Sequence, residues 1–335
     1  MNNVIYIITG AAGHLGGTII QTLTNTDCLV RGLILPGEEG TKGDNVEYFT
    51  GDVTKPETLD KLFENTNDAK VIVIHCAGLI SIQNKVSAHV YNVNVLGTKN
   101  IIEKCKQYGV HRLVYVSSVH ALPEKKGAII REVYKFSPNT VEGSYAKTKA
   151  EATQAVLDAA NNGLDAVVVH PSGIVGPLDR YGGNHMVQMM RMYLENRLSA
   201  AIKGGYDFVD VRDVSDGILR AAERGQSGEC YILSNRYVTM EEMFEEMRKF
   251  TGRKRKIKLM PRWVAKIFIP ISTWSAKIKH KRPILTSYAV QTLAVHTRFC
   301  HDKATIELGY QPRSFKDTVK DTLKYLQHHS DEQHL

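Results

Sequence analysis

Through the first half of the chain, short apolar runs alternate with longer amphipathic segments, and few folds accept that rhythm. Val4–Ile8, Leu29–Leu35, Val71–His75, Leu113–Val116 and Ala166–Val169 are mostly hydrophobic along their whole length. Strands of that kind are covered on both faces, as in a parallel sheet flanked by helices. Between them, Leu15–Leu23, Pro56–Phe63, Ala88–Tyr108 and Ser144–Ala160 carry helical patterns. The alternation predicts an α/β fold, a doubly wound parallel sheet.

The first of these strands runs straight into Thr9-Gly10-Ala11-Ala12-Gly13-His14-Leu15-Gly16, which opens a helix. Glycines so spaced permit a tight turn and let backbone N–H groups approach a diphosphate at a helix N-terminus. A plain glycine-rich turn is the bland alternative, but the flanking strand and helix favour a dinucleotide site of the Rossmann type. Gly10, Ala12, Gly13, His14, Leu15 and Gly16 are therefore candidate cofactor contacts, for NAD or NADP.

Beyond Pro171 the alternation degrades. Gly182-Gly183 precede a Met-rich helix, Phe208-Val209-Asp210-Val211 reads as a return to the sheet, and after Ser234 the chain turns helical and basic. This predicts a cofactor domain over 1–170 with a returning segment near 207–234. A smaller, mostly helical substrate cap is predicted from 171–206 and 235–330.

Composition narrows the function classes. With 43% hydrophobic and 23% charged residues, the 335-residue chain is that of a globular protein. The five scattered cysteines form no C-x-x-C and no zinc spacing with histidine, which fits a reducing cytoplasm and predicts no metal. The N-terminus lacks the basic region and cleavage site of a signal peptide, and no apolar run approaches the ~20 residues of a spanning helix. A net charge of +8 arises partly from local basic runs and is read as a solvated face rather than a nucleic-acid surface.

Tyr145-Ala146-Lys147-Thr148-Lys149 places a phenol and an ammonium four residues apart, on one helix face. An ammonium beside a phenol favours phenolate and predicts a lowered tyrosine pKa. The phenol can then exchange a proton with a carbonyl oxygen while hydride moves. In a chain with 15 tyrosines, chance alone yields about one Y-x-x-x-K, so position has to carry the argument. Tyr145 follows the fourth clear strand, which ends in Ser117-Ser118, where α/β folds bind ligands. A loop or cap role is assigned to Ser117.

These motifs in this order resemble the extended short-chain dehydrogenases/reductases. Thr9–Gly16 looks like their T-G-x-x-G-x-x-G, and the resemblance selects Ser118 as carbonyl donor, Tyr145 as acid/base, Lys149 as its partner and Asn94 as relay or backbone support. It implies that Asp52 and Val53 lie at the adenine, that Cys76, Ala77 and Gly78 lie along the cofactor, and that Pro171 and Ser172 flank the nicotinamide. Relatives place an acid or an arginine where this chain has Leu35, next to Pro36, so the choice between NAD and NADP stays open. His170 replaces the usual arginine of R-P-x-x-V-x-G-P.

Within the group, dihydroflavonol 4-reductases and 3β-hydroxysteroid dehydrogenases are the first choice, implying an oxidoreductase acting on a hydrophobic ketone or secondary alcohol. A nucleotide-sugar 4-epimerase is the alternative enzyme, and a non-catalytic NAD(P)-binding sensor the alternative of another class. A 4,6-dehydratase is disfavoured because Val119-His120 stand where that chemistry wants Asp-Glu. His120, Tyr181, His185 and Met186 are the substrate-side candidates; Met186, Met189, Met190 and Tyr193 share one helical face, suited to a pocket or to plain core packing. Trp263 to Trp274, with basic neighbours through Arg282, reads as a pocket cap, a homodimer contact or a peripheral membrane contact over 263–282.

Overall fold

The computed structural model describes residues 4–66, 68–81, 86–124, 127–180, 182–254, 256–265, 267, 290, 293 and 297–331. Its strands are β1 (Val4–Thr9), β2 (Leu29–Ile34), β3 (Val46–Thr50), β4 (Lys70–His75), β5 (Arg112–Val116), β6 (Ile129–Ile130) and β7 (Ala166–Pro171), followed by β8 (Gly173–Val175), β9 (Ala200–Ile202), β10 (Gly205–Asp210), β11 (Cys230–Leu233), β12 (Arg236–Thr239), β13 (Lys258–Met260) and β14 (Arg298–Phe299). Seven of them form one sheet in the order β11-β7-β5-β4-β1-β2-β3, all parallel. The order reverses between β1 and β4, which is where doubly wound sheets open a crevice at their carboxyl edge.

The apolar runs behave as their composition requires. In β1, Ile5 and Ile7 enter the core on one face, while Tyr6 and Ile8 enter the core on the other. Val71 and Val73 against Ile72 and Ile74 repeat the alternation in β4. Leu113 and Tyr115 against Val114 and Val116 repeat it in β5. Burying each such aliphatic side chain is worth about 1.5–3 kcal/mol, so neither face of these strands tolerates a polar residue cheaply.

The helices are α1 (His14–Leu23), α2 (Asp60–Phe63), α3 (Ala88–Tyr91), α4 (Gly97–Gln107), α5 (Ser144–Asn161), α6 (His185–Leu194), α7 (Val211–Arg224), α8 (Met240–Thr251) and α9 (Phe315–Asp331). The segment expected as one helix over Ala88–Tyr108 is interrupted by a wider π turn at Asn92–Leu96. Pro56–Phe63 likewise divides, into a 3-10 turn at Pro56–Thr58 and α2.

Phe208–Val211 does not rejoin the main sheet. β10 pairs with β8 and β12 in a separate three-stranded sheet, and Asp210 caps α7, which begins at Val211. The strand that does return is β11, which pairs with β7 at the sheet edge. Among the described residues, no helix is long and apolar enough to cross a membrane.

Candidate active site

The glycine turn is shaped by contacts that leave no room for side chains. Gly10 takes a φ of +67°, and a Cβ on it would lie 2.9 Å from the Ala77 nitrogen. A Cβ on Gly16 would lie 2.2 Å from the Gly10 carbonyl oxygen, so this helix can pack onto the turn only with glycine there. Gly13 occupies the N-cap of α1 and offers no side chain to cap it. The first-turn N–H groups, among them those of His14 and Leu15, thus keep their capacity for an anion. Ala12 beside them is half-buried. A dinucleotide diphosphate fits this cradle.

At the end of β2, Leu35 is half exposed and its N–H donates to Glu38 Oε2 at 2.9 Å. Arg31 is committed elsewhere: it donates to the carbonyls of Leu62 (3.1 Å), Glu64 (2.6 Å) and Asn65 (3.3 Å) and lies over the Phe49 ring. Asp52, after β3, accepts from the backbone and hydroxyl of Thr54, both at 2.8 Å. Val53 is buried, and its carbonyl accepts from Asn100 at 2.8 Å. Cys76 and Ala77 are half-buried at the end of β4, with Gly78 exposed beyond them.

A network of buried side chains, those of Thr9, His75 and Thr98, braces this edge. Thr98 donates its only hydroxyl proton to the Asn94 carbonyl at 2.7 Å, so it accepts from His75 Nε2–H at 3.1 Å. His75 Nδ1 is then the acceptor of the Thr9 hydroxyl at 2.7 Å, and Thr9 Oγ1 accepts from Ala77 N–H at 3.1 Å. Burial, aided by the Lys149 charge, holds His75 neutral with its pKa down at about 3.

Ser118, Tyr145 and Lys149 come together above this network, all three buried. The Ser118 hydroxyl lies close enough to the Tyr145 phenol to oppose the effect of burial on it. Lys149 Nζ donates to the Val116 carbonyl at 2.7 Å and to the Tyr115 hydroxyl at 3.3 Å, and lies over the Tyr115 ring. The expected lowering of the Tyr145 pKa is not found: burial raises it to about 12, opposed by the neighbouring Ser118 hydroxyl. The reason is that the ammonium is turned toward Val116 and Tyr115. Burial in turn lowers Lys149 to about 8.

Asn94 is the hinge of the π turn. Its Oδ1 accepts from Leu79 N–H at 2.7 Å, while Nδ2 donates to the Leu79 carbonyl and the Thr148 hydroxyl, both at 3.0 Å. Of the two roles open to it, backbone support is the one these contacts perform. The cap role expected of Ser117 falls to Ser118, which caps the turn Val119–Ala121, accepting from His120 N–H at 3.2 Å, while Ser117 bonds Thr153 of α5 at 2.7 Å.

His120 also joins the cluster. Its ring lies edge-on to Tyr145, with centroids 6.0 Å apart, and stacks on Tyr206, whose hydroxyl is 3.1 Å from His120 Nε2. Burial lowers its pKa to about 4. His170 is fully buried, stacked on Phe136, with Nδ1–H donating to the Ser118 carbonyl at 3.0 Å. Its pKa also falls to about 4, burial being the main cause. Pro171 and Ser172 follow, both buried at the carboxyl end of β7. The sequence had not singled out Tyr115, Tyr206 or Phe136: an aromatic residue in a strand, as Tyr115 and Tyr206 are, reads as core, and Phe136 lies in a loop outside every motif it used.

The remaining substrate-side candidates are less tightly gathered. His185 is exposed at the start of α6, and Met186 is half-buried against the core. Met189, Met190 and Tyr193 are buried core residues. Tyr181 lies outside the described residues, as does most of 263–282, of which Trp263 and Ile267 are exposed and Ala265 is buried. Among the described residues, no group of His, Cys, Asp and Glu could hold a metal ion.

Residues 6–234 match the model of the NAD dependent epimerase/dehydratase family. A putative dihydroflavonol 4-reductase of Synechocystis is 27% identical over 97% of this chain and 95% of its own. The sterol-4-alpha-carboxylate 3-dehydrogenase, decarboxylating, of Saccharomyces cerevisiae is 28% identical over 84% of each. The crystal structure of gox2253 superposes with a TM-score of 0.78 at 28% identity, covering 98% of this chain and 99% of that one.

Proposed function

The chain belongs to the NAD dependent epimerase/dehydratase family, and within it we propose that this protein interconverts a ketone and a secondary alcohol on a hydrophobic small molecule. The observation that carries the reading is the buried cluster of Ser118, Tyr145 and Lys149 at the carboxyl edge of the sheet, where the glycine turn also opens. A bound nicotinamide supplies the hydride in reduction and accepts it in oxidation.

In the reductive direction the hydride adds to the carbonyl carbon, and the Tyr145 phenol gives its proton to the carbonyl oxygen. Ser118 donates to the same oxygen and orients it. Oxidation reverses both transfers, with Tyr145 taking the hydroxyl proton. Lys149, whose ammonium is turned toward Val116 and Tyr115, holds the nicotinamide ribose. Asn94 keeps the Leu79 backbone and α5 in register, and His120 with Tyr206 walls the substrate side. The cofactor domain is assigned to 1–170 with the return near 207–234, and the cap to 171–206 and 235–330.

The relatives named for a dihydroflavonol and a sterol carboxylate support a hydrophobic ring-system substrate. The test is oxidation of NADH and NADPH against steroid and flavonoid ketones, with UDP-sugars as the contrast. Turnover of a ketone with consumption of coenzyme is expected. Epimerisation of a UDP-sugar without net consumption would assign the 4-epimerase instead, and coenzyme binding with no turnover would assign a sensor.

A further inference from the structure

His14 stands at the junction of the two halves of the site. It is the first residue of α1, so its backbone N–H belongs to the turn that faces a diphosphate. Its imidazole turns the other way, into the segment that leads to α6. There the ring is held on both sides: Nε2 lies 2.7 Å from the Pro177 carbonyl, and Nδ1 lies 3.2 Å from Asn184 Nδ2.

Hydrogen-bond valence fixes every proton in this joint. Asn184 Oδ1 caps α6, accepting from Met186 N–H at 2.9 Å and Val187 N–H at 3.3 Å, so the amide cannot be turned over. Its Nδ2 has two hydrogens: one goes to the Ile174 carbonyl at 2.8 Å, the other to His14. Both oxygen lone pairs and both hydrogens of Asn184 are therefore used. His14 must accept at Nδ1 and donate from Nε2 to Pro177, which makes it the neutral Nε2–H form. Asp179, almost fully buried, anchors the same segment by accepting from Gly183 N–H at 3.0 Å and Asn184 N–H at 2.9 Å.

The residue whose backbone faces the coenzyme thus carries a side chain with no slack against the cap. We propose that His14 and Asn184 are positioning residues, a joint through which ligation of the glycine turn fixes the start of α6 and so couples coenzyme binding to the substrate side of the cleft. This rests on the coenzyme site proposed above. His14 has only hydrogen bonds of ordinary length to the cap, and a shift of the turn by about 0.5 Å takes one of them beyond the usual range. Coenzyme that holds the turn still therefore also holds Asn184, and the cap of α6 with it.

Amide hydrogen exchange on the full chain, with and without saturating NADH or NADPH, reads the joint directly. Whichever coenzyme binds should slow exchange at the glycine turn and, at the same time, in the first turn of α6. The second effect should be about five- to tenfold, the worth of one neutral hydrogen bond. Asn184→Ser keeps a helix cap but is too short to reach His14 Nδ1; there the α6 effect should fall below about twofold while the glycine-turn effect remains. His14→Phe, which keeps a ring of similar bulk, should uncouple the two sites in the same way. Protection at the turn without any at α6 in the native chain overturns the joint, as does full α6 protection in both variants. Failure of both coenzymes to protect the turn overturns the coenzyme site, and the joint with it.

Discussion

Lys149 and Tyr145 share a helix face, yet burial acts on them in opposite directions, lowering the lysine to about 8 and raising the phenol to about 12. The phenol consequently rests protonated at neutral pH, which is the form that carbonyl reduction consumes. Oxidation needs it deprotonated. Ketone reduction should therefore hold up at neutral pH and decline toward alkaline pH, while alcohol oxidation rises, as kcat/KM profiles in the two directions would reveal; parallel profiles would contradict the assignment. At the coenzyme end, Leu35 has no charge to offer a 2′-phosphate, Arg31 is occupied, and the Glu38 carboxylate sits on the Leu35 N–H. NADH should bind more tightly than NADPH. Leu35→Arg should improve NADPH binding about tenfold, the worth of a charge-assisted hydrogen bond, measured by coenzyme fluorescence. The sequence left this choice open because it looked for an acid at the strand end itself, and Glu38 reaches back from the loop.

The π turn at Asn92–Leu96 shows what element-level patterns convey and what they omit. Apolar spacing predicts a helix over Ala88–Tyr108, and helical structure is what forms, but the widened turn leaves no mark in hydrophobic periodicity. It is the need to bring Asn94 against Leu79 and Thr148 that the turn serves. Asn94→Ala leaves the half-buried N–H and carbonyl of Leu79 without this partner. It should cost about 1–3 kcal/mol per stranded group, seen as a lower urea midpoint. An unchanged midpoint would show that Asn94 braces nothing. Phe208–Val211 teaches a related lesson: its composition announced a strand, and a strand is there. Which sheet it joins is decided by its pairing with β8 and β12, long-range contacts that local composition does not encode.

Across the whole molecule, the doubly wound sheet was the most legible feature, because every central strand is buried on both faces and is apolar along most of its length. The order of glycine turn, Asn94, Ser118, Tyr145 and Lys149 was legible as well. The state of His120 and His170 was not, since a buried neutral imidazole and an exposed one look alike in sequence. Burial holds His75, His120 and His170 at pKa values of about 3, 4 and 4. Between those values and the ordinary 6.5, the unfolded chain binds more protons than the folded one, so stability is lost as pH falls through that window. The loss is at most about 5 kcal/mol for His75 and about 3 kcal/mol each for His120 and His170. Asp207, raised to about 6 chiefly by burial, has the opposite sign and offsets a smaller part. The thermal midpoint should drop steeply from pH 6.5 toward pH 4; a flat midpoint would mean these imidazoles are not buried neutral. The central claim concerns one phenol. Tyr145→Phe, assayed with the ketone that the native chain turns over, should lower kcat by about 10²–10⁴-fold while coenzyme affinity stays as in the native chain. Turnover undiminished in that variant would contradict the account.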